Sequence, residues 1–180
     1  MRLAWVPFLL SLAVGSAAAQ PRPQIDRWFQ DLAKAESADD ARPIEDKIET
    51  AFRQSGSASV DLLMTRAKEA VSAADTKTAT AIIGSVTKLA PNYAEGWRLR
   101  ATLEAAGGND GAAMLSLQRV VTINPRHFSA MAELAGMLED YGDKKAALTL
   151  YRKVLTLYPR HEAASTRARA LEREVEGQGI

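Results

Sequence analysis

An all-α solenoid of antiparallel helix pairs, closed by a C-terminal capping helix, is the fold class this sequence predicts. Three observations carry that reading. Pro91, Pro125 and Pro159 recur at intervals of 34 residues, and each closes a similar phrase: Leu89-Ala90-Pro91, Ile123-Asn124-Pro125 and Leu157-Tyr158-Pro159. The columns ahead of them repeat in chemistry. Leu63, Trp97 and Met131 are large and apolar, and Ala67, Ala101 and Ala135 are small. Ala79, Ala113 and Ala147 follow, then Ile83, Leu117 and Tyr151, then Val86, Val120 and Val154. Midway through each period stands a strong N-cap type, Asp75, Asn109 or Asp143, whose side-chain oxygen can accept from the free amides of a second helix. A period of this length marks a repeat array whose units bury their apolar faces against one another.

Taken in order, residues 1–19 read as a secretory signal peptide. Arg2 gives a positive start, Leu3 to Val14 is an apolar run broken by Pro7, and Ala17-Ala18-Ala19 supplies an A-x-A cleavage site before Gln20. The run is too short for a comfortable membrane span. Residues 20–59 predict a degenerate helix pair. Ile25, Trp28, Phe29, Leu32 and Ala35 share one helical face. After Asp39-Asp40, Ile44, Ile48, Ala51 and Phe52 form a second face that ends near Gly56. Phe29, Leu32 and Ala33 fall in the repeat register, so the pair is expected to cap the stack as an atypical terminal repeat. Ser55 to Ser59 is a turn-rich link.

Three full pairs follow, at 60–93, 94–127 and 128–161. Alanine lets two helix backbones approach, and the larger apolar residues fill the space beside it at i, i+4 and i+7. Gly108 and Gly142 suit helix C-termini, and each period's proline stops the second helix because it cannot continue the hydrogen-bond ladder. Beyond Arg160, Ala164, Ala168, Leu171 and Val175 make a narrow apolar stripe on a capping helix at 162–176. Arg167, Arg169, Glu172, Arg173, Glu174 and Glu176 cover its outside. Gly177 and Gly179 stop it and leave a frayed tail at 177–180.

These residues resemble the tetratricopeptide repeat (TPR) signature, W-x2-L-G-x2-Y, then A-x3-F, then P. The second pair shows Trp97, Ala101, Ala113, Leu117 and Pro125, and the third shows Met131, Leu134, Ala135, Ala147, Tyr151 and Pro159. The first shows Leu63, Ala67, Ala79, Ile83 and Pro91. Arg66 and Arg100 depart from the pattern where leucine is usual. A long arginine stem can pack while its head reaches water or a carboxylate, with Glu69 and Glu104 placed as partners. The phrases Gly56-Ser57-Ala58-Ser59-Val60-Asp61-Leu62-Leu63-Met64 and Pro125-Arg126-His127-Phe128 also resemble short exported proteins of this family in alphaproteobacteria. The resemblance implies a right-handed superhelix.

Composition narrows the function. Without the leader the chain has 22 Lys plus Arg against 22 Asp plus Glu, so no basic stripe favours nucleic acid. It has no cysteine. With an export signal this points to a periplasmic protein with no membrane span once the leader is removed. His127 and His161 sit two residues past successive repeat prolines. Packed helices lie about 8–10 Å apart, whereas two imidazoles on zinc need nitrogens at about 2 Å, so a surface or capping role is expected and no metal. No phosphate loop, H-E-x-x-H or nucleophile elbow is present. Asp39-Asp40 reads as a turn and Glu139-Asp140 as a helix end, neither as an acid/base pair. No catalytic residue and no cofactor are expected, and the chain does not read as an enzyme. Trp28, Phe29, Trp97 and Tyr151 occupy core-facing positions. Tyr93, Phe128 and Tyr158 lie near the turns between pairs, either packed there or exposed to a partner.

The expected function is non-catalytic protein binding, with a peptide or helix of an envelope protein held in a groove. In the resembled family the first helix of each pair lines the concave face. By register that face would present Asp61, Met64, Lys68, Glu95, Arg98, Thr102, Ser129, Ala132 and Glu139. The Lys and Asn set that clamps a partner's C-terminal carboxylate in some members is missing: the inner positions read Met64 and Lys68, Arg98 and Thr102, Ala132 and Gly136. The alternative is a self-associating assembly subunit of an envelope complex. An enzyme or small-molecule binder is the weakest third reading.

Overall fold

In a computed structural model that describes residues 23–175 and Gly177, each N-cap type opens a helix. The Asp75, Asn109 and Asp143 side chains accept from the amides of Thr78, Ala112 and Ala146 at 3.0, 3.3 and 3.1 Å. The leader at 1–19 and the end of the tail lie outside the described residues. Among those described, nine helices and no strand run in the order α1 (Pro23–Lys34), α2 (Ala38–Phe52), α3 (Ala58–Ser72), α4 (Thr76–Leu89), α5 (Ala94–Ala106), α6 (Asp110–Ile123), α7 (Phe128–Asp140), α8 (Lys144–Leu157) and α9 (Glu162–Val175).

The pairs α3–α4, α5–α6 and α7–α8 repeat one design. Ala67, Ala79, Ala113, Ala135 and Ala147 have no exposed surface, and Ala101 almost none, so the helices meet backbone to backbone at these columns. Ile83, Leu117, Tyr151, Val86, Val120 and Val154 are buried around them. The inter-helix turn puts its second residue in the left-handed region each time. Gly108 and Gly142 stand there at φ of 73° and 85°, and Ala74 stands there at 56°. Helix α9 docks Ala164, Ala168 and Leu171 on α8.

The N-terminal pair does not cap the stack. Val60, Met64, Ala67, Ala79, Ile83, Val86, Tyr93 and Leu103 form one core cluster that takes nothing from α1 or α2. Ile25, Phe29, Leu32, Ala41 and Ile48 instead join Phe128, Met131, Tyr151, Tyr158 and Leu171, residues of the third pair and the cap. The outward side of α3 explains the choice: Asp61, Thr65, Arg66 and Glu69 are exposed, leaving Leu62 and Val71 as the only large apolar groups exposed on that helix, with no aromatic ring among them. Across the turns, Phe29 meets Phe128 edge-on at 6.3 Å, and Phe128 meets Tyr158 edge-on at 5.5 Å. Two aromatic helices go where aromatic partners are, each such pair adding about 0.5–1.5 kcal/mol beyond area burial. The hairpin thus lies across the turns between pairs and over the first turns of α5, α7 and α9.

Three side chains differ from their expected surroundings. Trp97 is half-buried: its indole N–H donates to the Pro91 carbonyl at 3.0 Å, and Arg100 and Arg119 lie 5.3 and 6.0 Å from its ring. Trp28 is also half-buried and lines a trench between α1 and α2 with Ile25 and Ala51. Arg100 reaches Glu104 at 2.7 Å, whereas Arg66 stays exposed and makes no bond to Glu69.

Candidate functional site

The first turns of α5, α7 and α9 share a register position occupied by Tyr93, His127 and His161. Two of the three rings have a job set by the helix that follows. His127 Nδ1 accepts from the Ala130 amide at 3.4 Å and caps α7. The ring's proton therefore sits on Nε2, which donates to Glu95 at 2.7 Å. His161 Nδ1 accepts from the Ala164 amide at 3.1 Å and caps α9 in the same way. Tyr93 has no capping bond of its own, and its hydroxyl donates to the Arg53 carbonyl at the end of α2 at 2.7 Å. The capping role expected of the two histidines holds, but His127 is not a surface residue: it is fully buried, with the Phe52 ring 4.6 Å above it.

Glu95 and Arg98 are one turn apart on α5 and anchor a charged cluster. Arg98 donates to Glu133 of α7 at 3.0 and 2.5 Å and lies 3.8 Å from both Glu49 of α2 and Glu95. Ser129 of α7 donates to the Glu49 carboxylate. Burial pushes the Glu95 carboxyl up, but the hydrogen bond from His127 and the charges of Arg98 and Lys68 together hold it below the ordinary 4.5. For Arg98 burial acts downward, and the bond to Glu133 with the charges of Glu133, Glu95 and Glu49 outweighs it, so the guanidinium is held charged. Among the described residues no group of three or more His, Asp and Glu is placed to hold a metal.

The expected groove residues therefore separate into five settings. Met64 points into the core of the first pair at 4% exposure, because Val60, Met64 and Ala67 make one buried face. Glu95, at 6% exposure, lies beneath the hairpin with Arg98 and Ser129 beside it. Asp61 accepts from the amide of Ser55 at 3.1 Å and holds the link, which keeps its carboxyl below the ordinary range. Glu139 takes Arg167 of α9. Lys68 and Thr102 remain exposed and Ala132 half-exposed. Two of nine candidates are thus withdrawn from any free surface, Met64 by core packing and Glu95 by the hairpin.

Of the residues that hold the hairpin, the sequence marks only Tyr158, as a turn aromatic. Tyr158 donates to Glu45 at 3.0 Å, Arg160 donates to the Ala35 carbonyl at 3.1 Å, and Arg126 pairs with Asp26 at 2.7 Å. Their signal is the face of α2 beside its apolar stripe: Glu45, Glu49 and Phe52 at i, i+4 and i+7. The aromatic turn residues Tyr93, Phe128 and Tyr158 are buried, at 8%, 0% and 4% exposure, and the hairpin is what buries them.

No family model matches the chain. A TPR repeat-containing protein of Rhizobium etli is 33% identical over 128 residues, 71% of this chain and 63% of that protein's length. The chain thus spans less than two thirds of that relative. The first TPR domain of Spaghetti (RPAP3), bound to an HSP90 peptide, superposes with a TM-score of 0.59 at 14% identity, over 65% of this chain and 93% of that one. MamA superposes with a TM-score of 0.59 at 18% identity, over 81% of this chain and 86% of its own. With three capped helix pairs in a 34-residue register and these likenesses, the chain belongs to the tetratricopeptide-repeat family.

Proposed function

We propose that this chain is a non-catalytic protein-interaction module of the periplasm, binding a peptide or helix of an envelope protein on the face formed by its first helices. One observation carries the reading: the surface across α5 and α7 is built to hold a helix and has one, α2, lying on it through Glu49, Arg98 and Ser129. The likeness to a TPR domain bound to an HSP90 peptide supports the mode of binding and not the same ligand, since the inner positions here lack the Lys and Asn set. Lys68 and Thr102, exposed on α3 and α5, extend the same face beyond the hairpin.

A photo-crosslinking residue at Thr102 tests this, with Leu115 on the second helix α6 as control, since Leu115 is 67% exposed. The expected result is a discrete envelope-protein adduct from position 102 and none from 115. Equal labelling at both sites would refute the groove. Export is checked by intact mass from a cell-envelope fraction, which should begin at Gln20. Full-length protein in the cytoplasm would refute it.

Self-association is the second reading, favoured by one feature. With the hairpin folded elsewhere, the α3 end of the stack leaves Leu62 53% and Val71 39% exposed. Light scattering over a concentration series should show mass growth if a second copy covers that end.

A further inference from the structure

Helix α2 presents three side chains, one turn apart, to three receiving groups. Glu45 takes the Tyr158 hydroxyl, Glu49 takes Ser129 and the Arg98 charge, and Phe52 lies on the His127 ring. A different stripe of α2, with Ala41 and Ile48 buried, belongs to the apolar cluster shared with α1. The receiving groups come from α5, α7 and the turns before α7 and α9, so they form a fixed template whatever lies on it. Its chemistry is specific: a hydroxyl donor, a guanidinium with a second hydroxyl, then a flat ring.

The hairpin is also attached in a way that permits departure. Five residues separate Phe52 from Ala58, and among them Gly56 takes φ of 80° with nothing near it that a side chain would touch. The link is held by exposed bonds, Ser55 to Asp61 and Ser57 to Ser55. Along the other side an open crevice of about 670 Å³ runs between Ile25, Asp26 and Phe52 and the turn residues Pro91, Tyr93 and Arg126. The seam is therefore open along one side, where a competitor could enter.

We propose that α2 is an exchangeable occupant: the template is a receptor for an amphipathic helix bearing two carboxylates one turn apart and an aromatic ring in the next turn, and the chain's own α1–α2 hairpin covers it until such a helix displaces it. This rests on the binding-module reading and names its partner's chemistry. Tethering sets the terms. A short link gives the hairpin an effective concentration of about millimolar, so a free helix of the same sequence competes poorly unless the hairpin is weakened. An incoming helix that reproduces all three contacts exchanges like for like.

The test uses the full mature chain and a helix-stabilised, fluorescent peptide with the sequence of residues 38–54. In hydrogen exchange on the parent, α1 and α2 should exchange through an opening that leaves α5 to α8 protected. Equal protection of α2 and α7 would overturn the proposal, because the hairpin would then leave only on global unfolding. In the second arm, Glu45→Gln with Glu49→Gln weakens the hairpin without touching the template. That variant should bind the peptide at least about 10-fold more tightly than the parent, as the fraction of open template rises. The peptide carrying the same two glutamines should not bind. In the third arm, Asp26→Cys and Arg126→Cys, which pair in the parent, are joined by a short bismaleimide. The chain has no other cysteine, so the bridge is unique, and the locked protein should not bind. No binding to the loosened variant would overturn the proposal. Equal binding to locked and unlocked proteins would also overturn it, by placing the peptide elsewhere on the stack, and would leave the binding-module reading standing. Failure of that broader reading shows separately, as equal crosslinking at positions 102 and 115.

Discussion

Ala74 occupies a backbone position that its two counterparts give to glycine. At φ of 56° it sits where Gly108 and Gly142 sit at 73° and 85°. An L-residue in the left-handed region costs about 1–2 kcal/mol, because Cβ crowds the following carbonyl oxygen. Ala74→Gly removes that cost and adds back about 0.4–1 kcal/mol of unfolded-chain entropy. The net expectation is a gain of about 0.5–1 kcal/mol. The mirror experiment uses Gly108→Ala and Gly142→Ala. A Cβ built at either glycine meets nothing within 4 Å, so only the backbone angle opposes it. Each should cost about 0.5–1 kcal/mol, the same quantity with the opposite sign. Urea unfolding reads both, as midpoints that move while the slope stays fixed. Should Ala74→Gly lower the midpoint, or either alanine variant raise it, then neither the φ assignment nor the register equating the three turns can be right.

Two further expectations follow from the site and the stack. Burial depresses His161 below its ordinary 6.5, and Glu45 only partly opposes this. Its contribution to stability is complete above pH 6.5 and drains as pH falls from there through the lower folded value, where protonation also destroys the Nδ1 acceptor that caps α9. His161→Asn keeps an acceptor that does not titrate, so urea midpoints measured from pH 7.5 to 5 should fall less steeply than in the parent, and equal slopes would refute the assignment. Trp97→Ala should cost about 2.5–3.5 kcal/mol: roughly half the usual aromatic deletion of about 3–5 kcal/mol for a half-buried ring, plus about 1 kcal/mol for its bond to Pro91. A thermal melt indistinguishable from the parent's would remove Trp97 from the packing of the second pair.

The stack was legible because its determinants are local and repeated. Asp75, Asn109 and Asp143 cap within three residues, and the alanine columns recur at a fixed interval, so periodicity locates both. The seat of the hairpin was not legible, for two physical reasons. Its contacts join residues far apart in sequence: Ser129 to Glu49 spans 80 residues, Tyr158 to Glu45 spans 113 and Arg160 to Ala35 spans 125. Moreover Phe29 and Leu32 satisfy two surfaces equally well as a pattern, the end of α3 and the turns. What decides between them is the polar outer side of α3 against the rings of Phe128 and Tyr158, a comparison of surfaces that exists only once the stack has formed. The groove suffered accordingly. Register placed Glu95 and Arg98 on the first helices, but their accessibility depended on where a distant hairpin came to rest.

The column Tyr93, His127 and His161 is where the two halves of the molecule make different demands on one side chain. The first turn of a helix wants an acceptor there, which Asp, Asn or Ser supplies in a small polar group. The hairpin wants a flat apolar seat, which Asp cannot give. Phenylalanine would give the seat and leave the Ala130 amide without its acceptor, beside a Glu95 stripped of its closest donor in a buried setting. Imidazole meets both demands. Its Nδ1 caps α7, its Nε2–H satisfies Glu95, and its face receives Phe52. At His161 the same ring caps α9 and meets Tyr158 and Phe128 edge-on at 5.3 and 6.5 Å. At Tyr93 the α5 amides go without a side-chain cap, and the phenol reaches instead to the carbonyl of Arg53 where α2 ends. The ring is present at all three positions and the cap at two. Tyr93 and His127 meet the hairpin directly, through Arg53 and Phe52, whereas His161 backs the Tyr158 ring that takes Glu45, so the hairpin shapes this column as much as the helices that follow it.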